Sequence, residues 1–366
     1  MSDKENRYAT LDGIRGMAAL FVVTLHAKQM FPWAHFEHAY LAVDLFFMIS
    51  GVVLARAYEN RLASKKIGPA AFMRLRFARV FPLYIIGVLL GACVNYLSQF
   101  FGPCTANTLP QSILASLVFA VAMMPSPFAR GLFPINGPVW SLFFELIANF
   151  LYARFLPFLT GRVLASVIGG GFLAISAASI QYHMIDAGYL WRNCPFGLVR
   201  VCFSFAIGVA VHRHAAKRRI QSNAVSLAVI VVCALSLAIN VPKDWETVYV
   251  IAVVSAVFPA IIIVAAQVEP SHLLRKVCLA AGTASYGIYV LHSPLASLTR
   301  FAAKGFFNIG PVVTAYWGLP FLVALAGVVF VLDRTYDPCF RRILTRTIRR
   351  GPHAAPASSI VPESPV

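Results

Sequence analysis

The chain has 366 residues, of which 59% are hydrophobic and 12% are charged, whereas a soluble domain has about half and about a quarter. This composition excludes a soluble globular protein and, over most of the chain, a disordered one. The formal net charge of +17 would suggest nucleic-acid binding in a soluble protein. In a membrane protein, cationic cytoplasmic loops account for the same excess, so we expect no nucleic-acid partner.

Apolar segments that approach or reach the length of a membrane-crossing helix, about 17 to 25 residues, recur along nearly the whole chain. We expect ten to cross: 11–30, 40–55, 80–96, 138–156, 163–180, 195–211, 224–239, 248–266, one that contains 285–292, and 312–332. The shorter segment Gln111–Met124 precedes a stretch rich in Pro and Gly, which indicates a re-entrant or surface-lying element. The predicted fold is an all-α, polytopic transmembrane helical bundle of about ten spans plus this element.

Clusters of Lys and Arg predict the orientation, because such residues accumulate in cytoplasmic loops. The clusters lie at 56–79, 213–219, 275–276 and 334–350. Ten spans with both termini in the cytoplasm place every cluster inside, whereas eleven spans break the pattern in the middle of the chain. We expect a membrane domain over 8–332 and a basic cytoplasmic tail over 333–366, rich in Pro and Ser and disordered at its end.

The seven cysteines show no spacing suited to zinc, so we predict no metal site. Cys104 and Cys194 both fall on the predicted outer face. There they either form a disulfide or remain as two thiols.

Ionisable side chains inside predicted spans are candidate site residues, because each costs about 2.5 kcal/mol or more to insert. In the first span Asp12, Arg15 and His26 share one face, since the eleven positions from Arg15 to His26 make close to three full turns. They extend about 16 Å along the axis. Gly16 and Ala19 lie between them and predict a slot on this face.

Three ionisable residues from three spans lie at similar depths below the outer surface. His26, Asp44 and Glu145 differ by less than about 5 Å when counted along their helices. We therefore expect them to converge in one cavity in the outer third of the bundle. The alternative for His26 is a buried histidine bonded to the backbone. Ser141, Glu145 and Asn149 form a stripe at i, i+4 spacing, and interhelical contact explains Ser141 and Asn149 more readily than it explains a carboxylate.

Two further groups have both a structural and a functional interpretation. Arg76 and Arg79 are neighbours at i, i+3 where the third span enters the membrane. Two guanidinium groups suit phosphate oxygens, but they also anchor helices at lipid head groups, and the spacing alone favours the anchor. Ser285, Tyr289 and His292 form a polar face on the penultimate span. The structural and the functional interpretation are equally supported for this face.

Five sequence blocks occur in a defined order over about residues 8–332: 8–20 followed by His26, 43–51, 76–84, 139–145 and 285–292. Together they resemble the membrane-bound acyltransferase 3 family, whose members typically transfer acyl groups to cell-surface glycans. The resemblance implies an O-acyltransferase, most often an acetyl-CoA-dependent O-acetyltransferase, in the bacterial cytoplasmic (inner) membrane. Acyl-CoA would then be the donor substrate, with no permanently bound cofactor, and an extracytoplasmic carbohydrate or lipid-linked glycan the acceptor.

The resemblance also implies roles for the donor-binding residues. Arg76 and Arg79 would hold the nucleotide phosphates at the cytoplasmic mouth, and the pantetheine arm would enter the slot beside Gly16. Arg15 would contact a phosphate or pair with Asp12.

The acceptor side of the reaction would depend on His26 as general base for the hydroxyl. Asp44 or Glu145 would orient its ring. Direct transfer and an acyl-histidine intermediate both stay open. A transporter or flippase that uses the same intramembrane charges is the alternative function, although no internal repeat favours it, and an idle membrane scaffold is a third.

Overall fold

The computed structural model describes residues 7–101, 110–182, 187–215, 220–305 and 316–342. Helices dominate these ranges. In chain order they are α1 (Ala9–His26), α2 (Ala42–Ala63), α3 (Pro69–Phe101), α4 (Pro110–Val121), α5 (Trp140–Phe155), α6 (Gly161–Tyr182), α7 (Cys194–His214), α8 (Asn223–Ala238), α9 (Lys243–Ala252), α10 (Phe258–Gln267), α11 (His272–Gly305) and α12 (Gly318–Arg334). A π-helical turn over Val253–Val257 joins α9 to α10, and residues 336–342 continue as a helix after α12.

Seven segments within the described ranges are long and apolar enough to cross a membrane. They are Glu37–Ala63, Pro69–Gln99, Gly137–Phe158, Gly161–Gln181, Trp191–His214, Lys243–Gln267 and Gly318–Arg342. The protein is therefore an integral membrane helical bundle, as its composition predicts. The count of about ten spans stays a prediction, because α1, α8 and α11 are not among these seven.

The predicted re-entrant element corresponds to α4, a helix of 12 residues. At 1.5 Å per residue it is about 18 Å long, which is too short for the hydrocarbon layer. It packs against α3, where the Tyr84 hydroxyl donates a hydrogen bond of 2.6 Å to the carbonyl oxygen of Ala120. Its length agrees with an element that does not cross.

The centre of the bundle contains two close helix pairs, α1 with α11 and α2 with α7. Glycines make both possible. A Cβ atom on Gly16 would lie 2.5 Å from Cβ of Ala281, and one on Gly208 would collide with the carbonyl oxygen of Met48. These pairs fix α11 against α1 and α7 against α2, and α1, α2 and α11 carry most of the candidate site.

The structure departs from the sequence expectations in two local features. The first helix ends at His26 rather than near Met30, because the chain turns into a 3-10 helix over Lys28–Met30. A short parallel β-pair, β1 (Ile220–Gln221) with β2 (Val268–Glu269), adds to the predicted all-α fold. Cys104 and the tail beyond residue 342 lie outside the described residues, and Cys194 has a free thiol.

Candidate donor cavity and outer histidine pair

A cavity of about 150 Å³ lies among α1, α2, α3, α5 and α11. Its lining on α2 runs from Phe46 to Tyr58, twelve positions (58 − 46) that extend about 18 Å along the helix. At one end the Tyr58 ring packs on Phe72 of α3, with centroids 5.0 Å apart. At the other end Phe46 packs on Tyr289 of α11 at 5.5 Å. The cavity therefore extends along the helices of the bundle. The end at Tyr58 and Phe72, about one helical turn from Arg76 on α3, is called the arginine end, and the end at Tyr289 is called the tyrosine end.

The charged lining residues are Arg15, Arg76, Arg79 and Glu145. Three cations and one anion leave a formal excess of two positive charges (3 − 1), which suits a ligand with more than one negative charge. The walls between them are largely apolar and are contributed by Phe46, Phe47, Ile49, Val53, Leu54, Ala57, Val80 and Leu142. The cavity lining thus combines anion-binding side chains with apolar walls.

The position of Arg15 is fixed by α11 and by its own helix. Its Nε donates a hydrogen bond of 2.9 Å to Oγ of Ser285, and its Nη2 donates one of 2.7 Å to the carbonyl oxygen of Gly282. Nη2 also lies 3.1 Å from Oδ1 of Asp12, whose Oδ2 accepts from Arg7 at 2.9 Å. The ion pair expected between Arg15 and Asp12 is therefore present, and the guanidinium is held at the cavity wall.

Glu145 and Arg76 face each other across the cavity. Oε1 of Glu145 accepts a hydrogen bond of 2.6 Å from the Ser50 hydroxyl, and it lies 3.7 Å from Nη2 of Arg76. Nε of Arg76 is buried and has no hydrogen-bond partner among the described residues. Arg76 therefore keeps donor capacity for an anionic ligand, while Glu145 holds its position.

The tyrosine end is closed by a hydrogen-bonded cluster. The Tyr289 hydroxyl lies 2.6 Å from Oγ of Ser141 and donates a hydrogen bond of 2.8 Å to the carbonyl oxygen of Pro138. The ring of Tyr289 stands perpendicular to Phe46. These contacts separate the cavity from His292, which lies one turn further along α11.

His26 lies at the end of α1, where it is exposed, and it is not among the residues that line the cavity. Its Nδ1 is 3.0 Å from the carbonyl oxygen of Val22, and its ring packs edge-on against His292 with centroids 5.0 Å apart. These two residues are called the histidine pair. The sequence separates His292 from His26 by most of the chain, and only the packing of α1 on α11 brings them together.

Asp44 lies in a fully buried ion pair on the α2–α7 contact. Its Oδ2 is 2.6 Å from Nη2 of Arg200, and its Oδ1 accepts a hydrogen bond of 3.2 Å from Nε of the same guanidinium. The Ser204 hydroxyl and the carbonyl oxygen of Ala187 complete the cluster. Sequence reasoning missed Arg200, although an arginine inside a predicted span is by itself a signal of a buried partner.

Two expectations about the arrangement of the site need correction. Glu145 lines the donor cavity, but His26 and Asp44 do not, so this cavity does not collect the three ionisable residues as their depths suggested. The predicted slot beside Gly16 is filled by Ala281 of α11, and Ala19 is fully buried. Small residues on α1 allow close helix packing there, and the open passage runs along α2 instead.

Comparison with known proteins identifies several similar sequences. A family model described as an acyltransferase domain matches residues 8–346. The chain is 28% identical to the exopolysaccharide production protein ExoZ of Rhizobium meliloti over 327 residues, which cover 87% of this chain and 94% of the relative. It is 39% identical to protein 2 in the picA locus of Rhizobium radiobacter over 185 residues, 48% of this chain and 96% of the relative.

A viral protein is also similar. The putative acetyltransferase ORF330 of Acidianus two-tailed virus is 25% identical over 284 residues, 76% of this chain and 80% of the relative. No solved structure matches the chain.

Proposed function

Because the chain belongs to the acyltransferase 3 family, we propose that this membrane protein transfers an acyl group, most simply acetyl, from cytoplasmic acyl-CoA to a hydroxyl of an extracytoplasmic glycan or glycolipid. The observation that carries the proposal is the cavity whose lining combines three arginines with largely apolar walls. Acyl-CoA has matching properties, because it joins a polyanionic nucleotide to a long uncharged arm.

The donor phosphates bind at the arginine end. Arg76 and Arg79 are side by side on α3, and Arg15 reaches the same cavity from α1. Guanidinium groups form paired, charge-assisted hydrogen bonds with phosphate oxygens. Glu145 sets the position of Arg76, since the Ser50 hydroxyl fixes its carboxylate. The pantetheine arm then follows the apolar wall of α2 towards Tyr289.

Acyl transfer requires a base for the acceptor hydroxyl, and His26 is the candidate. Its Nδ1 lies against the carbonyl oxygen of Val22, which only accepts hydrogen bonds, so the neutral ring carries its proton on Nδ1 and presents a basic Nε2. The acceptor oxygen bonds to the acyl carbon, the carbon–sulfur bond breaks, and the hydroxyl proton passes to Nε2. Movement of the Tyr289 cluster is needed to bring the thioester to this ring.

The acceptor is a polysaccharide or its lipid-linked precursor in this proposal. The name of the rhizobial relative, an exopolysaccharide production protein, supports this class. His26 lies exposed at the end of α1 that the Lys and Arg clusters assign to the outer face. A hydroxyl group outside the cell reaches it there, while CoA stays in the cytoplasm, in agreement with a bacterial inner-membrane location.

The donor site is tested with the double variant Arg76→Ala plus Arg79→Ala. Acetyl-CoA binding to purified protein is measured by calorimetry, and release of the CoA thiol is followed with polysaccharide from a deletion strain as acceptor. Each charge-assisted hydrogen bond contributes about 1.5 to 3 kcal/mol, so we expect Kd to rise at least about a hundredfold.

The matched control is Lys66→Ala plus Lys276→Ala, which removes two exposed positive charges outside the cavity lining. We expect its Kd to stay within about twofold of the wild type, because exposed charges contribute little. Equal affinity of all three proteins for acetyl-CoA contradicts the donor site. Absence of CoA release and of polysaccharide acetylation by the wild type contradicts the proposed function itself.

A further inference from the structure

His292 occupies a position between the donor cavity and the exposed His26. It is fully buried on α11, three residues beyond Tyr289, which is about 4.5 Å along the helix axis. Its ring centroid lies 6.0 Å from that of Tyr289 and 5.0 Å from that of His26. The three rings therefore form a continuous row from the tyrosine end of the cavity to the exposed end of α1.

The protonation of the His292 ring follows from its contacts. Nδ1 lies 2.7 Å from the carbonyl oxygen of Tyr289 and 3.2 Å from that of Ile288. Because carbonyl oxygens only accept, Nδ1 carries the proton of the neutral ring, and Nε2 has the free lone pair. Nε2 is buried and has no hydrogen-bond partner among the described residues. A buried polar atom without a partner costs about 1 to 3 kcal/mol, which an apolar side chain would avoid.

The two rings of the histidine pair have the same tautomer. The Nδ1 atom of each faces a carbonyl oxygen of its own helix, so each presents Nε2 as the basic atom. The rings meet edge-on at an interplanar angle of 61°. The ring centroids are 5.0 Å apart. Exposed side chains change rotamer within nanoseconds, so rotation of the His26 side chain carries a proton on its Nε2 to His292.

We propose that His292 is a second catalytic residue of the acyl transfer, which returns the acceptor's proton to the sulfur of CoA. The inference rests on the proposed function. The acceptor oxygen bonds to the acyl carbon, the carbon–sulfur bond breaks, and its electron pair stays on sulfur. The hydroxyl proton passes to Nε2 of His26, from there to Nε2 of His292, and finally to the thiolate. Both rings end neutral, and the products are the acyl ester and the CoA thiol.

The decisive variant is His292→Asn. The asparagine amide occupies the position of Nδ1 and still donates to the backbone carbonyl oxygens, but it has no Nε2 base. Steady-state CoA release is measured with acetyl-CoA and polysaccharide from a deletion strain. Removal of a catalytic base costs about 10²- to 10⁴-fold, so we expect kcat to fall at least about a hundredfold. KM for acetyl-CoA stays within about twofold, because the arginine end is unchanged.

Three companion variants separate catalysis from packing. His272→Asn changes an exposed histidine on the same helix and keeps wild-type kcat. His292→Ala regains part of its kcat when imidazole is added. His26→Asn combined with His292→Asn is little slower than either single variant, because residues that act as one unit are not additive.

The outcomes distinguish the inference from its premise. If the wild type releases no CoA thiol, the proposed function and this inference both fail. If the wild type turns over and folded His292→Asn matches its kcat, the inference alone is overturned. Recovery of kcat by His292→Gln overturns it as well, because an amide accepts a hydrogen bond at that position but does not carry a proton onward.

Discussion

Asp44 and Arg200 form a salt bridge whose side chains are almost completely enclosed, with relative exposures of 0% and 2%. Trp140 covers the guanidinium, whose central carbon lies 5.5 Å from the centroid of its ring. A charge at this depth is stable only with its partner, because desolvation is not recovered otherwise. The arrangement gives Asp44 a structural task at the contact between α2 and α7.

The first prediction concerns this ion pair. Asp44→Asn leaves the Arg200 charge without a counter-ion, and we expect the free energy of unfolding in detergent to fall by about 3 to 5 kcal/mol. Replacement of both residues, Asp44→Leu plus Arg200→Met, recovers most of the loss, since no charge is then buried. Asp244→Asn, at an exposed acidic residue of α9, serves as control. An unchanged Tm for Asp44→Asn contradicts the structural role.

At the residue scale, the sequence identifies the charged residues of the candidate site better than it identifies the residues with which buried charges pair. Arg15, Arg76, Arg79 and Glu145 do line one cavity. The cost of inserting a charge singles out Arg15 and Glu145, whereas the two arginines of α3 are singled out by their spacing and by the family resemblance. The partner of Asp44 was missed, because Arg200 is more than 150 residues away and its helix was assigned by its apolar residues alone. Side-chain pairing across helices depends on packing that no local pattern encodes.

At the scale of the element, glycines decide how closely the helices approach. Gly51 on α2 and Gly208 on α7 face each other, and a Cβ atom on Gly51 would lie 3.0 Å from Cα of Gly208. Ser50, the neighbour of Gly51, holds the carboxylate of Glu145. A change in the distance between α2 and α7 therefore moves Ser50, which lines the donor cavity.

The second prediction follows from this contact. Gly51→Ala forces the two helices apart, and overpacking of this kind costs about 1 to 3 kcal/mol in the free energy of unfolding. We also expect a higher KM for acetyl-CoA, because Ser50 moves with its helix. Gly170→Ala on α6 is the control, since nothing lies within 4 Å of its added Cβ atom. Loss of stability in Gly170→Ala equal to that in Gly51→Ala contradicts the explanation.

The limit of the sequence at this scale is visible on α1. The small residues Gly16 and Ala19 predict that something approaches this face, but not whether it is a ligand or another helix. In the structure, Ala281 of α11 packs against Gly16. A face of small residues is equally suited to an acyl chain and to a helix backbone, so the pattern alone does not distinguish the two.

At the scale of the whole molecule, mean hydropathy underestimates buried helices that carry several polar residues. The α1 and α11 helices pack together at the centre and carry Asp12, Arg15, His26 and His292. Neither is among the seven segments selected for length and apolar character. The polar residues that lower their hydropathy lie at the candidate site, so apolar length alone misses two of the five helices that line the cavity.

The last prediction is the sidedness of the loops, tested with single cysteines in a cysteine-free protein. The ten-span arrangement places Lys66→Cys and Lys276→Cys in the cytoplasm and Asp244→Cys outside, and all three native residues are exposed. A membrane-impermeant maleimide should label Asp244→Cys in intact cells and the other two only after permeabilisation. If α4 crossed the membrane, Lys66 and Lys276 would lie on opposite sides. Labelling of only one of these two in intact cells therefore contradicts the arrangement, and labelling of Lys66→Cys in intact cells also contradicts the assignment of the arginine end to the compartment that contains CoA.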